Sequence, residues 1–207
     1  MSTQHMIDLA GIVILAGGES TRMGSPKALL KLANGETLLD YHICHAKNLN
    51  VPVMVADNGK RLCHDTTVKI IDDYLPNQQN GKGAGALSAM AGAMNQVMSP
   101  YHYLLVISCD SLVHAHQVFD KLRYAVTDNE AVIYLKDEKD YPLLGLYRTD
   151  LLIELYDYLD KGQRAVMKFL ADKKIQTAAL PNEWIALANF NTKNEFDLAL
   201  NSLNEIG

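Results

Sequence analysis

Six short runs of contiguous apolar residues recur along the chain, separated by segments with helical spacing. They fall at 11–16 (GIVILA), 51–56 (VPVMVA), 68–71 (VKII), 103–108 (YLLVIS), 131–135 (AVIYL) and 143–147 (LLGLY). A strand with one wet face alternates apolar and polar residues. These runs do not alternate, so both of their faces must be covered. Between them, 37–49 carries Leu38, Leu39, Ile43 and Ala46 at helical spacing, and 84–98 carries Leu87, Met90, Ala91, Met94 and Val97. Further helices are expected at 116–126, 149–159, 164–171 and 194–203. Strand followed by helix, repeated, predicts an α/β chain: a mostly parallel sheet between two layers of helices. No linker-like stretch or internal repeat divides the 207 residues, so they are expected to form a single domain, 1–207. A chain of that size can bury a sufficient core without disulfide or metal staples.

Composition narrows the partners. Nineteen basic against 24 acidic side chains give a net charge of −5, a poor electrostatic start for a nucleic-acid binder. The three cysteines, Cys44, Cys63 and Cys109, show no C-x-x-C spacing and read as reduced thiols. The longest apolar runs are too short to cross a bilayer, and the first ten residues have neither the basic nor the apolar segment of a signal peptide. No membrane partner is expected, and a cytoplasmic location is.

The strongest local motif follows the first apolar run directly: Leu15-Ala16-Gly17-Gly18-Glu19-Ser20-Thr21-Arg22-Met23-Gly24-Ser25-Pro26-Lys27. In open α/β sheets, ligands bind at the carboxyl ends of the strands. Gly17 and Gly18 lack a Cβ, which allows positive φ and close approach of the backbone N–H groups to phosphate oxygens. Arg22 and Lys27 add a planar fork and a point charge suited to a polyphosphate. The spacing is neither G-x-x-x-x-G-K-[ST] nor G-x-G-x-x-G. A solvated strand-to-helix turn is the plain alternative, but it leaves the convergence of two glycines and two cations unexplained.

The fourth run ends in Ser108-Cys109-Asp110, an acid at a strand end that should face the same crevice as that loop. Mg²⁺ takes one or two carboxylates plus phosphate oxygens and water, so Asp110 alone suffices as its protein ligand. Asp110 could equally cap the next helix. Asp72 and Asp73 end the third run, as nucleoside contacts or as turn acids. The pairs His114/His116 and His42/His45 have no third ligand at a recognisable metal spacing and are read as solvated or packed. Met90, Met94 and Met98 follow core spacing. In the last third, Gly162 marks a helix end, with Arg164 exposed on the helical hairpin that follows. Asn189 and Asn191 alternate on a strand-like stretch, where they could bind a ligand rich in nitrogen and oxygen or, at Asn191 and Thr192, cap the last helix.

The run 15–27 resembles the LAGG-x-S-x-RMG-x-x-K signature of nucleotidyltransferases acting in molybdopterin-guanine and sugar-nucleotide synthesis. YL-x-x-G-x-R-x-VM-x-F from Tyr158, W-x-x-L-x-NFNT from Trp184, and Tyr141-Pro142-Leu143 before an apolar strand are similar to the MobA-type molybdenum cofactor guanylyltransferases. The likeness runs from about Gly11 to the last helix. It implies a Rossmann-like, three-layer nucleotidyltransferase fold that transfers GMP from GTP to the terminal phosphate of molybdopterin, releasing pyrophosphate, with Mg²⁺ as cofactor. It places Leu15, Ala16, Gly17, Gly18, Lys27, Asp73 and Asp110 on GTP, with Asp110 on the metal. Arg22, Lys27 and Asp110 would be catalytic, and Arg164, Asn189 and Asn191 would lie on the molybdopterin side. The resemblance also implies contacts with other cofactor-biosynthesis proteins and molybdoenzyme chaperones, made by a monomer or weak oligomer. Three positions depart from the pattern: the GPLAG loop reads Gly81-Lys82-Gly83-Ala84-Gly85, N-x-N reads Ala56-Asp57-Asn58, and the residue after NFNT is Lys193. The first two bear on base selectivity, so CTP, or a sugar or alditol phosphate acceptor, stays open at this point. So does a GTP-binding protein without turnover.

Overall fold

The computed structural model of the chain describes residues 7–18, 24–75, 84–97, 102–127 and 129–206. Its strands are β1 (Leu9–Leu15), β2 (Val53–Ala56), β3 (Lys69–Ile71), β4 (Tyr103–Ser108), β5 (Val132–Lys136), β6 (Asp140–Arg148) and β7 (Ile175–Ala179). The helices are α1 (Leu38–Lys47), α2 (Ala86–Gln96), α3 (Ala115–Arg123), α4 (Leu152–Asp160), α5 (Val166–Leu170), α6 (Ile185–Ala188) and α7 (Lys193–Ile206).

One seven-stranded sheet has the order β3-β2-β1-β4-β6-β5-β7. The pairs β1·β2, β1·β4, β2·β3 and β5·β7 are parallel, while β6 runs antiparallel to both β4 and β5. Because successive side chains point to opposite faces, the contiguous apolar runs feed two cores. Ile12, Ile14, Val53, Val55, Leu105 and Ile107 meet Leu38, Ile43, Val118, Leu122, Phe190 and Phe196 on one face. Val13, Leu15, Met54, Leu104 and Val106 meet Leu87, Met90, Met94, Leu155 and Phe169 on the other. Burying each such side chain is worth about 1.5–3 kcal/mol, which is why strands with no polar face are stable only between two helical layers. Met90 and Met94 are packing residues, fully buried; Met98 lies outside the described residues.

The expected α/β class and mostly parallel sheet are present, with three local corrections. Strand β6 returns antiparallel because only residues 137–139 separate it from β5. That turn is closed by the Asp137 N–H on the Lys139 carbonyl (3.0 Å) and the Lys139 N–H on Oδ1 of Asp137 (2.6 Å). Tyr141-Pro142-Leu143 lies within β6, not before it. The β5–β6 register shifts between Tyr134 and Leu135 there, the irregularity that lets a proline sit in a strand. The stretch 184–192 that carries Asn189 and Asn191, expected to be strand-like, contains α6 over Ile185–Ala188 instead.

Candidate active site

Leu15, Ala56 and Ser108 are the last residues of β1, β2 and β4, and all three line one cleft of about 380 Å³. The chain goes from β1 outward through β2 to β3, then crosses back to place β4 on the other side of β1. Such a reversal leaves a crevice between β1 and β4 that the connecting loops cannot fill, the usual ligand position in sheets of this kind. Gly17, Gly18, Asn58, Asp73, Gly85, Asp110 and Leu143 also line it. A second compartment of about 240 Å³ shares Leu15, Gly18, Ser108 and Asp110 with the first and adds Ala16, Lys27, Cys109 and Asn191.

The glycine turn is held from two sides. The Ala16 N–H donates to the Ala56 carbonyl (2.9 Å), and the Cys109 N–H donates to the Leu15 carbonyl (3.1 Å). Neither Gly17 nor Gly18 has positive φ, which corrects one of the two reasons given for them from the sequence. Gly17 is required by close approach. A Cβ there would stand 3.0 Å from Asn58 Cβ and 3.3 Å from Asn58 N, whereas Gly18 faces open space. The Asp57–Asn58 turn is fixed in turn by the buried Asp57 carboxylate, which accepts from the Gly59 and Leu62 N–H groups at 3.0 and 2.8 Å. Lys60, a cation that sequence spacing did not single out, donates from Nζ to the Gly17 carbonyl at 2.8 Å.

Lys27 opens a short 3₁₀ turn and reaches across to the far side of the cleft. Its Nζ donates to the Phe190 carbonyl (2.7 Å) and to Asn191 Oδ1 (3.0 Å), and stands 3.6 Å from Asp110 Oδ2. The Asp110 loop is pinned by its own carbonyl, which accepts from the Phe190 N–H (2.8 Å), and by the Leu112 N–H on the Leu187 carbonyl (2.8 Å). The two asparagines differ in role. Asn191 lines the second compartment, while Asn189 accepts from Asn191 Nδ2 at 2.6 Å and orients it. Thr192 and Glu195 form a capping box for α7: the Glu195 N–H donates to Thr192 Oγ1, and Glu195 Oε2 accepts from the Asn191 and Thr192 N–H groups. The capping role foreseen for Asn191 and Thr192 therefore falls to Thr192. The Asn191 side chain belongs to Lys27.

Asp73 enters the cleft from the segment after β3, which α2 holds tightly. The Tyr74 N–H donates to the Ser88 carbonyl (3.0 Å), and the Leu75 N–H donates to Ser88 Oγ (2.8 Å). Burial, then the Asp57 and Asp72 charges, push the Asp73 carboxyl up to about 6. Gly85 is the N-cap residue of α2 with φ +81°, and Gly85, Ala86 and Ala89 line the cleft, so the positive end of that helix faces it. Burial and the adjacent Asp110 push up the Cys109 thiol, which removes it as a nucleophile at neutral pH. Among the described residues, no histidine lines either compartment to activate a serine or cysteine. The chemistry available is charge neutralisation and positioning.

Of the residues singled out from the sequence, Leu15, Ala16, Gly17, Gly18, Lys27, Asp73, Asp110 and Asn191 are brought together here. Arg164 is not: half-buried rather than exposed, it donates to the Leu159 and Gln163 carbonyls where α4 ends, away from the cleft lining. Arg22 and Gly81–Gly83 lie outside the described residues. Asn58, Gly85 and Leu143, which the sequence offered only inside the Ala56-Asp57-Asn58, Gly81–Gly85 and Tyr141-Pro142-Leu143 motifs and not as candidate contacts, also line the cleft, as does Ser108, signalled only by its place at a strand end.

Known proteins resemble this chain over nearly its whole length. A molybdenum cofactor guanylyltransferase of Histophilus somni is 27% identical over 190 residues, 89% of this chain and 93% of the relative. A probable molybdenum cofactor guanylyltransferase of Mycolicibacterium paratuberculosis is 32% identical over 193 residues, 90% of this chain and 92% of the relative. Among solved structures, molybdopterin-guanine dinucleotide biosynthesis protein A of Archaeoglobus fulgidus shares the fold with a TM-score of 0.74 at 16% identity, covering 94% of this chain and 99% of that one. A Francisella tularensis 2-C-methyl-D-erythritol 4-phosphate cytidylyltransferase does so with a TM-score of 0.64 at 13% identity, covering 93% and 98%. The sequence pattern of the MobA-like NTP transferase domain matches residues 12–176, and the chain belongs to that family.

Proposed function

We propose that the protein transfers GMP from GTP to the terminal phosphate of molybdopterin, releasing pyrophosphate and forming the guanine dinucleotide form of the cofactor. The observation that carries the reading is the facing pair Lys27 and Asp110, 3.6 Å apart where the glycine turn meets the end of β4. A cation beside a carboxylate, both partly exposed in a cleft edged by backbone N–H groups, is a site for a polyanion accompanied by a divalent ion.

The nucleoside fits the larger compartment, whose floor of Leu15, Ala56, Ala89 and Leu143 is apolar and whose polar groups include Asn58 and Asp73. The triphosphate then lies along Gly17–Gly18 toward Lys27. The acceptor phosphate supplies its own nucleophilic oxygen, so the protein needs no general nucleophile. One P–O bond forms at the α-phosphorus as the bond to pyrophosphate breaks. Lys27 neutralises charge on the departing pyrophosphate, and the fixed glycine turn holds the α-phosphorus in line. The donor set also fits Mg²⁺: Asp110 provides the hard carboxylate oxygen, with phosphate oxygens and water available for the remaining positions. When bound, that ion would supply charge neutralisation across the phosphates. The last third of the chain, through Phe190 and Asn191, closes the acceptor side. Cytoplasmic action is consistent with the absence, among the described residues, of any helix long and apolar enough to cross a membrane.

The test is product analysis after incubation with molybdopterin, Mg²⁺ and each of the four nucleoside triphosphates in turn. The guanine dinucleotide should form with stoichiometric pyrophosphate from GTP alone. A cytosine product, or GTP binding without pyrophosphate release, would overturn the proposal.

A further inference from the structure

Histidines that spacing left unpaired meet in space. His45 lies near the end of α1, His114 immediately precedes α3, and His116 is in its first turn. One side-chain nitrogen from each of the three lies within 4.8 Å of the others. The His45 and His114 rings stack with centroids 3.7 Å apart, His116 is 5.3 Å from His114, and Tyr41 packs edge-on against His45 at 4.6 Å. The Nδ1 atoms of His45 and His116 are buried and have no hydrogen-bond partner among the described residues. An orphaned buried polar atom costs about 1–3 kcal/mol, and here two of them belong to one cluster.

We propose that His45, His114 and His116 form a site for a borderline divalent transition-metal ion of the Zn²⁺ class, separate from the nucleotide cleft. Neutral imidazole is the ligand form. Burial, reinforced by the neighbouring histidines, keeps His45 below its usual range and His114 at about 4, which favours the neutral form of these two rings. Three imidazoles suit Zn²⁺, Cu²⁺ or Ni²⁺ and not Mg²⁺, which takes oxygen ligands. Zn–N bonds of about 2.0–2.1 Å put tetrahedral ligand atoms roughly 3.4 Å apart, so binding would draw the three nitrogens together and tilt the His45 and His114 rings out of their stack, turning their in-plane lone pairs toward one ion and leaving a fourth position to water. The Glu36 carboxylate, whose field acts on His45, offsets part of the charge. The ion would clamp α1 to the segment downstream of Asp110. Tyr41 and His42 already hold that segment through the Leu112 and Ser111 carbonyls, each at 2.8 Å. The site requires nothing of the transfer reaction.

The test uses the full chain stripped with EDTA and titrated calorimetrically with ZnCl₂ in excess Mg²⁺. One equivalent of Zn²⁺ should bind and raise the thermal midpoint. His114→Ala and His116→Ala, checked for folding by circular dichroism, should each bind at least 10-fold more weakly, and Cys44→Ser should bind like the parent. Long-range ¹H–¹⁵N spectra of the unsubstituted protein read the same site without a mutation. The ring nitrogens of His45, His114 and His116 should shift with one equivalent of Zn²⁺, while those of His102 stay in place. No saturable binding, undiminished binding in both histidine variants, loss of binding in Cys44→Ser, or shifts confined to other histidines would each overturn the proposal.

Discussion

Gly92 sits in the middle of α2, where helix propensity alone says that alanine should be better by about 0.5–1 kcal/mol. The packing says the opposite. A Cβ built on Gly92 would stand 3.2 Å from the carbonyl carbon of Asp72, 3.6 Å from Asp73 Cα, and well inside van der Waals contact with the Asp72 carbonyl oxygen. These are backbone atoms, so no rotamer change relieves the overlap. Helix α2 and the 72–75 segment have to move apart. Overpacking of this kind costs about 1–3 kcal/mol. After the propensity gain, Gly92→Ala should lose roughly 1–2 kcal/mol, which for a chain of this size is a fall of about 2–8 °C in thermal midpoint. The displaced segment carries Asp73 and is tied to Ser88 through the Tyr74 and Leu75 N–H groups, so the KM for the nucleotide should rise as well. Thermal unfolding followed by circular dichroism, together with steady-state kinetics on GTP, measures both. A midpoint equal to or above the parent's would refute the reasoning.

Asp110→Ala and Lys27→Ala should each lower the transfer rate by about 10²–10³ while the fold persists, since both side chains are partly exposed; pyrophosphate release and circular dichroism check the two halves. Asp73 has a folded-state pKa of about 6, above the ordinary value near 3.8, so its contribution to stability is present at low pH and lost as pH rises through about 6. Asp73→Asn should therefore gain on the parent between pH 4 and pH 7 in urea unfolding. The chain as a whole should run the other way: burial holds His42 and His114 at about 4, and stability falls as pH drops from 6.5 toward that value. Thr192→Ala removes the capping box of α7 and should cost about 1 kcal/mol, seen as a drop of about 2–4 °C in midpoint.

What the sequence revealed and what it hid divide along a physical line. Strands β1, β2 and β4 were legible because burial on both faces leaves them apolar almost throughout, with Ser108 at the end of β4 as the exception. Strand β7, Ile175–Ala179, pairs only with β5 at the sheet edge and is mostly half-buried, so its sequence carries no such run. Helix α6 has four residues, too few to display a period, and the alternating Asn189 and Asn191 that follow it gave the segment a false rhythm of two. At the cleft, the glycine turn and Asp110 could be read locally because each directly follows a strand. The anchoring of Lys27 on Phe190 and the meeting of His45 with His114 could not. They depend on how α1, α3 and α7 are stacked, which no spacing encodes.

The contact between Lys27 and the Phe190 carbonyl spans 163 residues. At about 5–20 residues per second, a ribosome needs about 8–30 s to go from the lysine to its acceptor. From the moment residue 110 has been made, about halfway through that interval, the growing chain carries both the glycine bend and the Asp110 acid but lacks the clasp that joins them. The clasp is therefore finished late, and in the proposed reaction a nucleotide held between Lys27 and Asp110 has to wait for it until translation has passed residue 190.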